Sequence, residues 1–199
     1  MRLIVGISGA TGAIFGVRLL EALRATGRVE THLIISKWGE RTIEHETNMT
    51  VENVRKLAHF NYPANNLAAT ISSGSFRTDG MIIAPCSTKT VAAIATGFTD
   101  TLVARAADVI LKEGRKLILV VRESPLNVVH LENMLKLART GVAIAPPMPA
   151  FYNHPATLNE MIDHIIGRIL DNFGLEFTQM RRWDGQLRSP TQAGTRSVQ

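Results

Sequence analysis

A glycine-dense turn near the start of the chain combines the residue types that bind an anion. The apolar run 3–7 leads into the segment GISGATG, with glycines at positions 6, 9 and 12, and a helical pattern follows. Glycine lets the backbone approach a ligand closely, and the start of a helix presents free N–H groups and the positive end of its dipole. The hydroxyls of Ser8 and Thr11 add donors. The turn therefore predicts a site for the phosphate of a nucleotide-type cofactor.

Two further groups of hydroxyl side chains narrow the choice of cofactor. The segment 87–90, STKT, follows an apolar run, where it would cap a helix or hydrogen-bond a flavin ring or ribityl chain. Ser36 and Lys37 stand where an NAD site usually has a carboxylate for the ribose, although NADP tolerates this pair. The hydroxyls favour a mononucleotide such as FMN, and an NAD(P) dehydrogenase ranks last.

Three cations could bind a second anion. Arg122 ends an apolar run, where its guanidinium could hold a phosphate through two hydrogen bonds. Lys112 could instead be the solvated end of a helix, and Arg168 could extend from an otherwise apolar helix to solvent. Placed around a leaving phosphate, these cations would stabilise its negative charge.

Five short, β-branched apolar runs alternate with helical patterns and must position these residues. Such runs are typical of strands buried on both faces of a parallel sheet. The predicted strands are 3–7, 31–35, 80–84, 116–121 and 141–145, with a first helix over 13–25 and a last helix over 158–170. The alternation predicts a doubly wound α/β fold, Rossmann- or flavodoxin-like, with a mainly parallel sheet between two helical layers. Because ligands bind beyond the carboxyl ends of such strands, we expect the five strand ends to converge on one site.

Composition bounds the class of protein. The 199 residues, 45% of them hydrophobic, suit one domain, predicted over 1–183, followed by a polar tail over 184–199. The net charge of +5 is not gathered on a helix face with interleaved aromatics, which argues against a nucleic-acid partner. No apolar stretch has the length of a membrane span and no signal peptide is visible, so we expect a cytoplasmic protein. The six histidines lack metal-ligand spacing, so no metal is predicted, and the single cysteine, Cys86, is expected to be a packed residue.

Long segments of the chain resemble one protein family. The segments are GISGATGA, ISKW, SSGSFRTDGMIIAPCSTKT, RAADVILKEGRKLILVVRESPL, HLENMLKLARTGVAIAPPMPAFYNHP and the later RRW. From residue 2 to about residue 183 they are similar to the UbiX-type flavin prenyltransferases, formerly called phenylacrylic acid decarboxylases. The resemblance implies a metal-independent enzyme that joins a dimethylallyl group from dimethylallyl phosphate to N5 and C6 of reduced FMN. It also implies that the prenylated FMN serves a UbiD-type decarboxylase, and that the enzyme is a homododecamer with its sites at subunit contacts.

Each predicted ligand has its own candidate residues. FMN would be contacted by residues of the glycine turn and the strand ends, namely Gly9, Ala10, Thr11, Ser36, Ser87, Thr88, Lys89, Thr90 and Arg122. The resemblance implies that the phosphate of the allyl donor is bound by Lys112, Arg122, Tyr152 and Arg168. Ser73, Ser75 and Glu123 could also contact it, although a plain loop and a structural ion pair explain them equally well.

Ring closure at C6 and transfer of the allyl group call for two more residues. Closure releases a proton, and Glu46 matches the acid/base position of the family, with Glu40 and Glu44 as competing local acids. The developing allyl cation needs an electron-rich face, and Trp183 aligns with a family aromatic near the prenyl group.

The other aromatic residues are expected to have structural roles. Trp38 and Phe76 are predicted to pack in the core or at an interface. The family tryptophan in the loop before SSGS has no counterpart, since 66–71 holds no aromatic residue.

Two other functions stay open. An FMN-dependent decarboxylase of peptidyl or pantothenoyl cysteine relies on a histidine early in the chain, and neither His32, inside a predicted strand, nor His45 is clearly placed for that role. A carrier that stores or delivers FMN would need no second anion site, so the three additional cations argue against it.

Overall fold

Residues 1–187, which the computed structural model describes, form a six-stranded sheet flanked by seven α-helices. The strands are β1 (Arg2–Ile7), β2 (Glu30–Ile35), β3 (Phe60–Pro63), β4 (Gly80–Cys86), β5 (Lys116–Val121) and β6 (Ala143–Ile144). The helices are α1 (Ala13–Thr26), α2 (Lys37–Glu46), α3 (Val51–Arg55), α4 (Thr88–Thr96), α5 (Leu102–Lys112), α6 (Val128–Arg139) and α7 (Leu158–Asp171). The strand order is β3-β2-β1-β4-β5-β6 and every pairing is parallel, which confirms the predicted doubly wound α/β fold.

The inner strands are apolar throughout because both faces of the sheet are covered. Along β1, Leu3 and Val5 belong to one core, which is closed by α1 and α7, while Ile4 belongs to a second core, which is closed by α4, α5 and α6. This alternation follows from the two-residue period of a strand. The helices that follow β1 and β4 therefore lie on opposite faces of the sheet.

The structure differs from the sequence prediction at the two edges of the sheet. The strand β3 was not predicted, because its four residues, Phe60–Pro63, are mostly exposed and end in proline, as an edge strand allows. The predicted strand over 141–145 is reduced to the two residues of β6, and the predicted strand over 80–84 extends to Cys86.

The remaining predictions concern membrane spans, the domain boundary and the location of the protein. Within 1–187, no helix is both long enough and apolar enough to span a bilayer. The division into a domain over 1–183 and a tail stays a prediction, as does the cytoplasmic location. Most of the predicted tail, residues 188–199, lies outside the described part of the chain.

Candidate active site

A cavity of about 630 Å³ opens at the carboxyl ends of β1 and β4. These two strands are neighbours whose following helices lie on opposite faces, and such a switch point is where open α/β sheets bind ligands. The predicted residues that line the cavity are Gly9, Ala10, Thr11, Ser36, Ser87, Thr88, Lys89, Thr90, Arg122 and Glu123. Four of the five predicted strand ends thus meet in one place, and the segment 146–152, which follows the fifth predicted strand, is not among the lining residues of the cavity.

Ser8 fixes the floor of this cavity. Its hydroxyl is 2% exposed and donates to the carbonyl of Pro85 at 3.0 Å, while it accepts from the N–H of Ser87 at 2.8 Å. A buried hydroxyl with both of these bonds ties the end of β1 to the end of β4. The two strand ends therefore hold the glycine turn and the 87–90 segment at a fixed separation.

The starts of the helices α2 and α4 face the cavity. Ser36 caps α2 by accepting from the N–H of Gly39 at 3.0 Å, and Ser87 caps α4 by accepting from the N–H of Thr90 at 3.2 Å. The glycine turn lines the same cavity, although the start of α1 beyond it is capped by Glu46. Capping and cavity lining are thus compatible roles for these serines, and two positive dipole ends converge on one anion site.

Three cations and two acids complete the lining. Lys37, Lys89 and Arg122 all line the cavity, and none of them forms an ion pair with another residue of the described range 1–187. Asp100 and Glu123 line it as well. The balance of positive helix ends and uncommitted cations suits a phosphate ester, while the acids can accept hydrogen bonds from the polar part of such a ligand.

The glycine turn also has the shape that a flavin nucleotide requires. A Cβ at position 9 would lie 2.3 Å from the Cβ of Trp38, so only glycine fits between the turn and α2. Trp38 itself lines the cavity and is 73% exposed, so it does not pack in the core of this chain, and its packing at an interface stays a prediction. An open aromatic face above a backbone cradle, beside cations and hydroxyls, fits the mixed apolar and anionic character of FMN.

Glu46 lies beside the turn and stabilises it. One carboxylate oxygen accepts from the N–H groups of Gly12 at 2.7 Å and Ala13 at 3.0 Å, and so caps α1, whose residue at the cap position has no side chain. Burial alone would raise the pKa of Glu46, but the hydroxyl of Thr11 and the two backbone donors outweigh it and lower the pKa. The group is therefore ionised at neutral pH, as a proton acceptor must be, although a lowered pKa weakens it as a base.

Tyr152 and Trp183 lie together with α7 rather than at this cavity. The two rings meet edge-on with centroids 5.7 Å apart. The hydroxyl of Tyr152 is hydrogen-bonded to Nε2 of His164 at 2.7 Å, and Arg168 follows one turn later on the same helix. We call these four residues the α7 cluster.

An ion-pair network ties the α7 cluster to the segment that carries Trp183. Asp171 accepts from Arg168 at 2.8 Å and from both terminal nitrogens of Arg182, at 2.6 and 3.0 Å. The hydrogen bond from Arg182 is the main reason why the pKa of Asp171 is lowered. Sequence reasoning missed His164, whose only signal was its spacing of four residues from Arg168 in the predicted last helix. It also missed Asp171, which directly follows the predicted range 158–170 and ends the observed helix.

Lys112 lies at the opposite edge of the sheet. It ends α5, which precedes the amino end of β5, and its ammonium pairs with Glu113. The loop with Ser73 and Ser75 packs here as well, because a Cβ on Gly74 would lie 2.7 Å from the Lys112 nitrogen. The two serine hydroxyls bond each other at 2.9 Å. We call Lys112, Ser73 and Ser75 the α5 cluster.

The predicted phosphate-binding residues therefore fall into three places in one chain. Arg122 and Glu123 lie at the cavity, and the other candidates belong to the α7 cluster and the α5 cluster. The strand β5 separates Lys112 from Arg122, and its six residues span about 17 Å at ~3.3 Å per residue. A single chain cannot bring Lys112 and Arg122 to one phosphate.

Several other residues considered in the sequence analysis have packing roles in the structure. Cys86 is fully buried, which raises the pKa of its thiol and confirms a packed residue. Phe76 is confirmed as a packing residue, since it contacts the core beneath α5 and meets His32 edge-on at 5.2 Å. His32 is 2% exposed and bonded to Glu30 and Tyr62. Among residues 1–187, no three His, Cys, Asp or Glu side chains are grouped as metal ligands.

Comparison with known proteins places the chain in a family. Residues 1–170 match the family model described as Flavoprotein. A probable UbiX-like flavin prenyltransferase of Escherichia coli O157:H7 is 60% identical over 93% of this chain and 94% of its own length. The crystal structure of a dodecameric FMN-dependent UbiX-like decarboxylase from Escherichia coli O157:H7 superposes with a TM-score of 0.92 at 60% identity, covering 93% of this chain and 100% of that one.

A second solved structure shows ligands in a relative. AnUbiX (PadA1), in complex with FMN and dimethylallyl pyrophosphate, superposes with a TM-score of 0.92 at 51% identity, covering 94% of this chain and 98% of that one. Each of these matches covers more than nine tenths of this chain. The chain belongs to the flavoprotein family and, within it, to the UbiX-like flavin prenyltransferases.

Proposed function

We propose that this protein transfers a dimethylallyl group from dimethylallyl phosphate to reduced FMN, at N5 and C6, and releases inorganic phosphate. The observation that carries the proposal is the switch-point cavity, where the starts of α2 and α4 and three cations offer positive charge beside an exposed aromatic face; the cations are Lys37, Lys89 and Arg122. The bound flavin would supply the nucleophilic ring atoms. No described observation favours a cysteine decarboxylase, because His32 is buried in a structural network.

The cavity residues would hold the flavin and exclude water. The glycine turn and the start of α4 offer backbone N–H groups and hydroxyls to its phosphate and ribityl chain, and Trp38 offers an apolar wall. Glu46, ionised and adjacent to the turn, would accept the proton released at C6. Its two backbone donors hold the carboxylate in place while it does so.

The departing phosphate needs cations and donors around it. Arg122 would contribute from the chain that binds the flavin, because it lines the same cavity. Tyr152, Arg168 and Lys112 lie elsewhere in that chain, so neighbouring copies would contribute them, with Trp183 facing the allyl cation. Glu123 lines the same cavity, but its carboxylate accepts from the N–H of Ser124 at 3.1 Å and forms no ion pair with Arg122.

A homo-oligomer, a dodecamer by analogy with the E. coli structure, supplies those copies. The helix α6 supports an assembly, because it exposes an apolar face through Val128, Val129, Leu131 and Leu135, each at least 50% exposed. Apolar surface of this kind is typical of subunit contacts. The product would pass to a UbiD-type decarboxylase.

The activity is tested under anaerobic conditions. Protein, reduced FMN and dimethylallyl phosphate should yield inorganic phosphate and a flavin heavier by one five-carbon unit in its mass spectrum. A mixture that yields neither product would reject the proposal. An FMN complex that neither binds nor consumes the allyl phosphate would instead identify a carrier.

The shared site is tested by mixing defects. Lys112→Ala and Tyr152→Phe each remove one group from the phosphate, so each homogeneous oligomer should lose most of its activity. Co-expressed in one cell, the two variants should form mixed oligomers in which some sites receive intact residues from both chains, and activity should return. If the mixed oligomers stay as inactive as the parents, Lys112 and Tyr152 do not reach one site from different copies.

A further inference from the structure

Tyr152 is held in place by one buried side chain. Its hydroxyl oxygen lies 2.7 Å from Nε2 of His164, and the two rings meet at an interplanar angle of 81° with centroids 5.5 Å apart. His164 is 6% exposed, whereas Tyr152 is 46% exposed. The histidine therefore contacts the tyrosine from the protein side, and the rest of the phenol stays open to a ligand.

The direction of this hydrogen bond decides what Tyr152 can offer. A phenol has one proton to donate and can accept at its oxygen. If the tyrosine O–H donated to the imidazole, that proton would be used within the protein and only an acceptor would face the phosphate. If Nε2–H of the imidazole donates instead, the tyrosine O–H is free to bond a phosphate oxygen.

We infer that His164 is a positioning residue: its Nε2–H donates to the hydroxyl oxygen of Tyr152 and so turns the tyrosine O–H toward the phosphate of the donor. The inference rests on the proposed function, which assigns Tyr152 to that phosphate. Arg168 lies four residues after His164 on α7, so the oriented hydroxyl and a guanidinium stand on one face of the helix.

The environment of His164 favours the neutral imidazole, whose one proton we place on Nε2. Burial lowers the pKa of His164, and the positive charge of Arg168 lowers it further, against a smaller opposite effect of Asp171. At neutral pH the ring therefore carries a single N–H. A structural role alone does not call for a histidine here, because a buried aromatic side chain of similar size would fill the same space.

The test separates hydrogen bonding from packing. His164→Phe keeps a ring and removes the donor, so the KM for dimethylallyl phosphate should rise about five- to tenfold, the effect of one lost hydrogen bond, with kcat nearly unchanged. The inhibition constant of inorganic phosphate should rise in parallel. The unbranched pair His164→Gln and His164→Met differs mainly in a donor, so Gln should restore most of the affinity and Met should not.

Two controls keep the outcome specific. Ile162→Val, at a buried site on the same helix, should lower the melting temperature without changing the KM. In a Tyr152→Phe background, His164→Met should cause no further loss, because the acceptor is already gone. Equal KM values in the Gln, Met and wild-type proteins, or equal losses in Gln and Met, would overturn the inference.

A failure of the proposed function can be told apart from a failure of the inference about His164. If the wild-type protein forms no prenylated flavin, the proposed activity is wrong. Binding of inorganic phosphate, measured by calorimetry, then still decides the role of His164. Weaker phosphate binding by the His164→Met variant than by the His164→Gln variant would support the inference, and identical binding by the two variants would refute it.

Discussion

Gly9→Ala should weaken FMN binding through one steric contact. The added Cβ would lie 2.3 Å from Cβ, 3.3 Å from Cα and 3.4 Å from the carbonyl carbon of Trp38, where ordinary contact begins at 3.4 Å. Either the turn or the start of α2 must move, and both line the cavity. Overpacking of this kind costs roughly 1–3 kcal/mol, so a displacement borne by the cavity should raise the Kd for FMN by about five- to a hundredfold.

A double-mutant cycle tests whether Trp38 is the cause. Flavin fluorescence titration of the apoprotein would give the Kd for wild type, Gly9→Ala, Trp38→Gly and the double variant. Removing the Trp38 Cβ relieves the shortest contact, so Gly9→Ala should have a much smaller effect in the Trp38→Gly background. An equal loss of affinity in both backgrounds would refute the steric argument.

Three further predictions concern Glu46, Cys86 and Arg182. Glu46→Gln should lower the free energy of unfolding by about 1 kcal/mol at pH 7, because the carboxylate caps α1. The pKa of Glu46 is lowered in the folded protein, so the difference from wild type should shrink as the pH falls below 4.5. Thermal melts check this, with Glu44→Gln, at an exposed position, as a control that should have no effect. The Cys86 thiol should resist iodoacetamide at pH 8 until urea unfolds the chain, and rapid native labelling would contradict its burial. Arg182→Met should increase acrylamide quenching of Trp183, measured with Trp38→Phe so that one tryptophan emits; unchanged quenching would show that the pair with Asp171 does not hold the segment.

The strands that carry the cavity were predictable because their pattern is local. A run such as Leu117–Val121 is buried on both faces, so every position must be apolar. The edge strand β3 gives no such signal, since neither face of Phe60–Pro63 is fully covered and its existence depends on pairing with β2. Hydroxyls and glycines directly after buried strands were therefore placed correctly, because the strand ends fix where they lie.

The phosphate-binding candidates were harder to place because charge alone does not report position. Lys112 precedes β5 by only a few residues, which puts it at the amino edge of the sheet, while Arg122 follows β5 at the carboxyl edge. Topology could have separated the two from sequence. The contact between Tyr152 and His164 could not have been foreseen, because it depends on how the loop after β6 folds back onto α7.

Arg122 and Arg168 differ in the ion pairs that they already form within the chain. Arg122 forms no ion pair within residues 1–187, whereas Arg168 shares the carboxylate of Asp171 with Arg182. Because Arg168 already donates to Asp171, a phosphate that reaches Arg168 must compete with that carboxylate for the guanidinium. A bound phosphate therefore gains more from Arg122 than from Arg168. The same carboxylate accepts two hydrogen bonds from Arg182, so a phosphate that draws Arg168 away leaves Asp171 paired with Arg182 and the segment of Trp183 still anchored to α7.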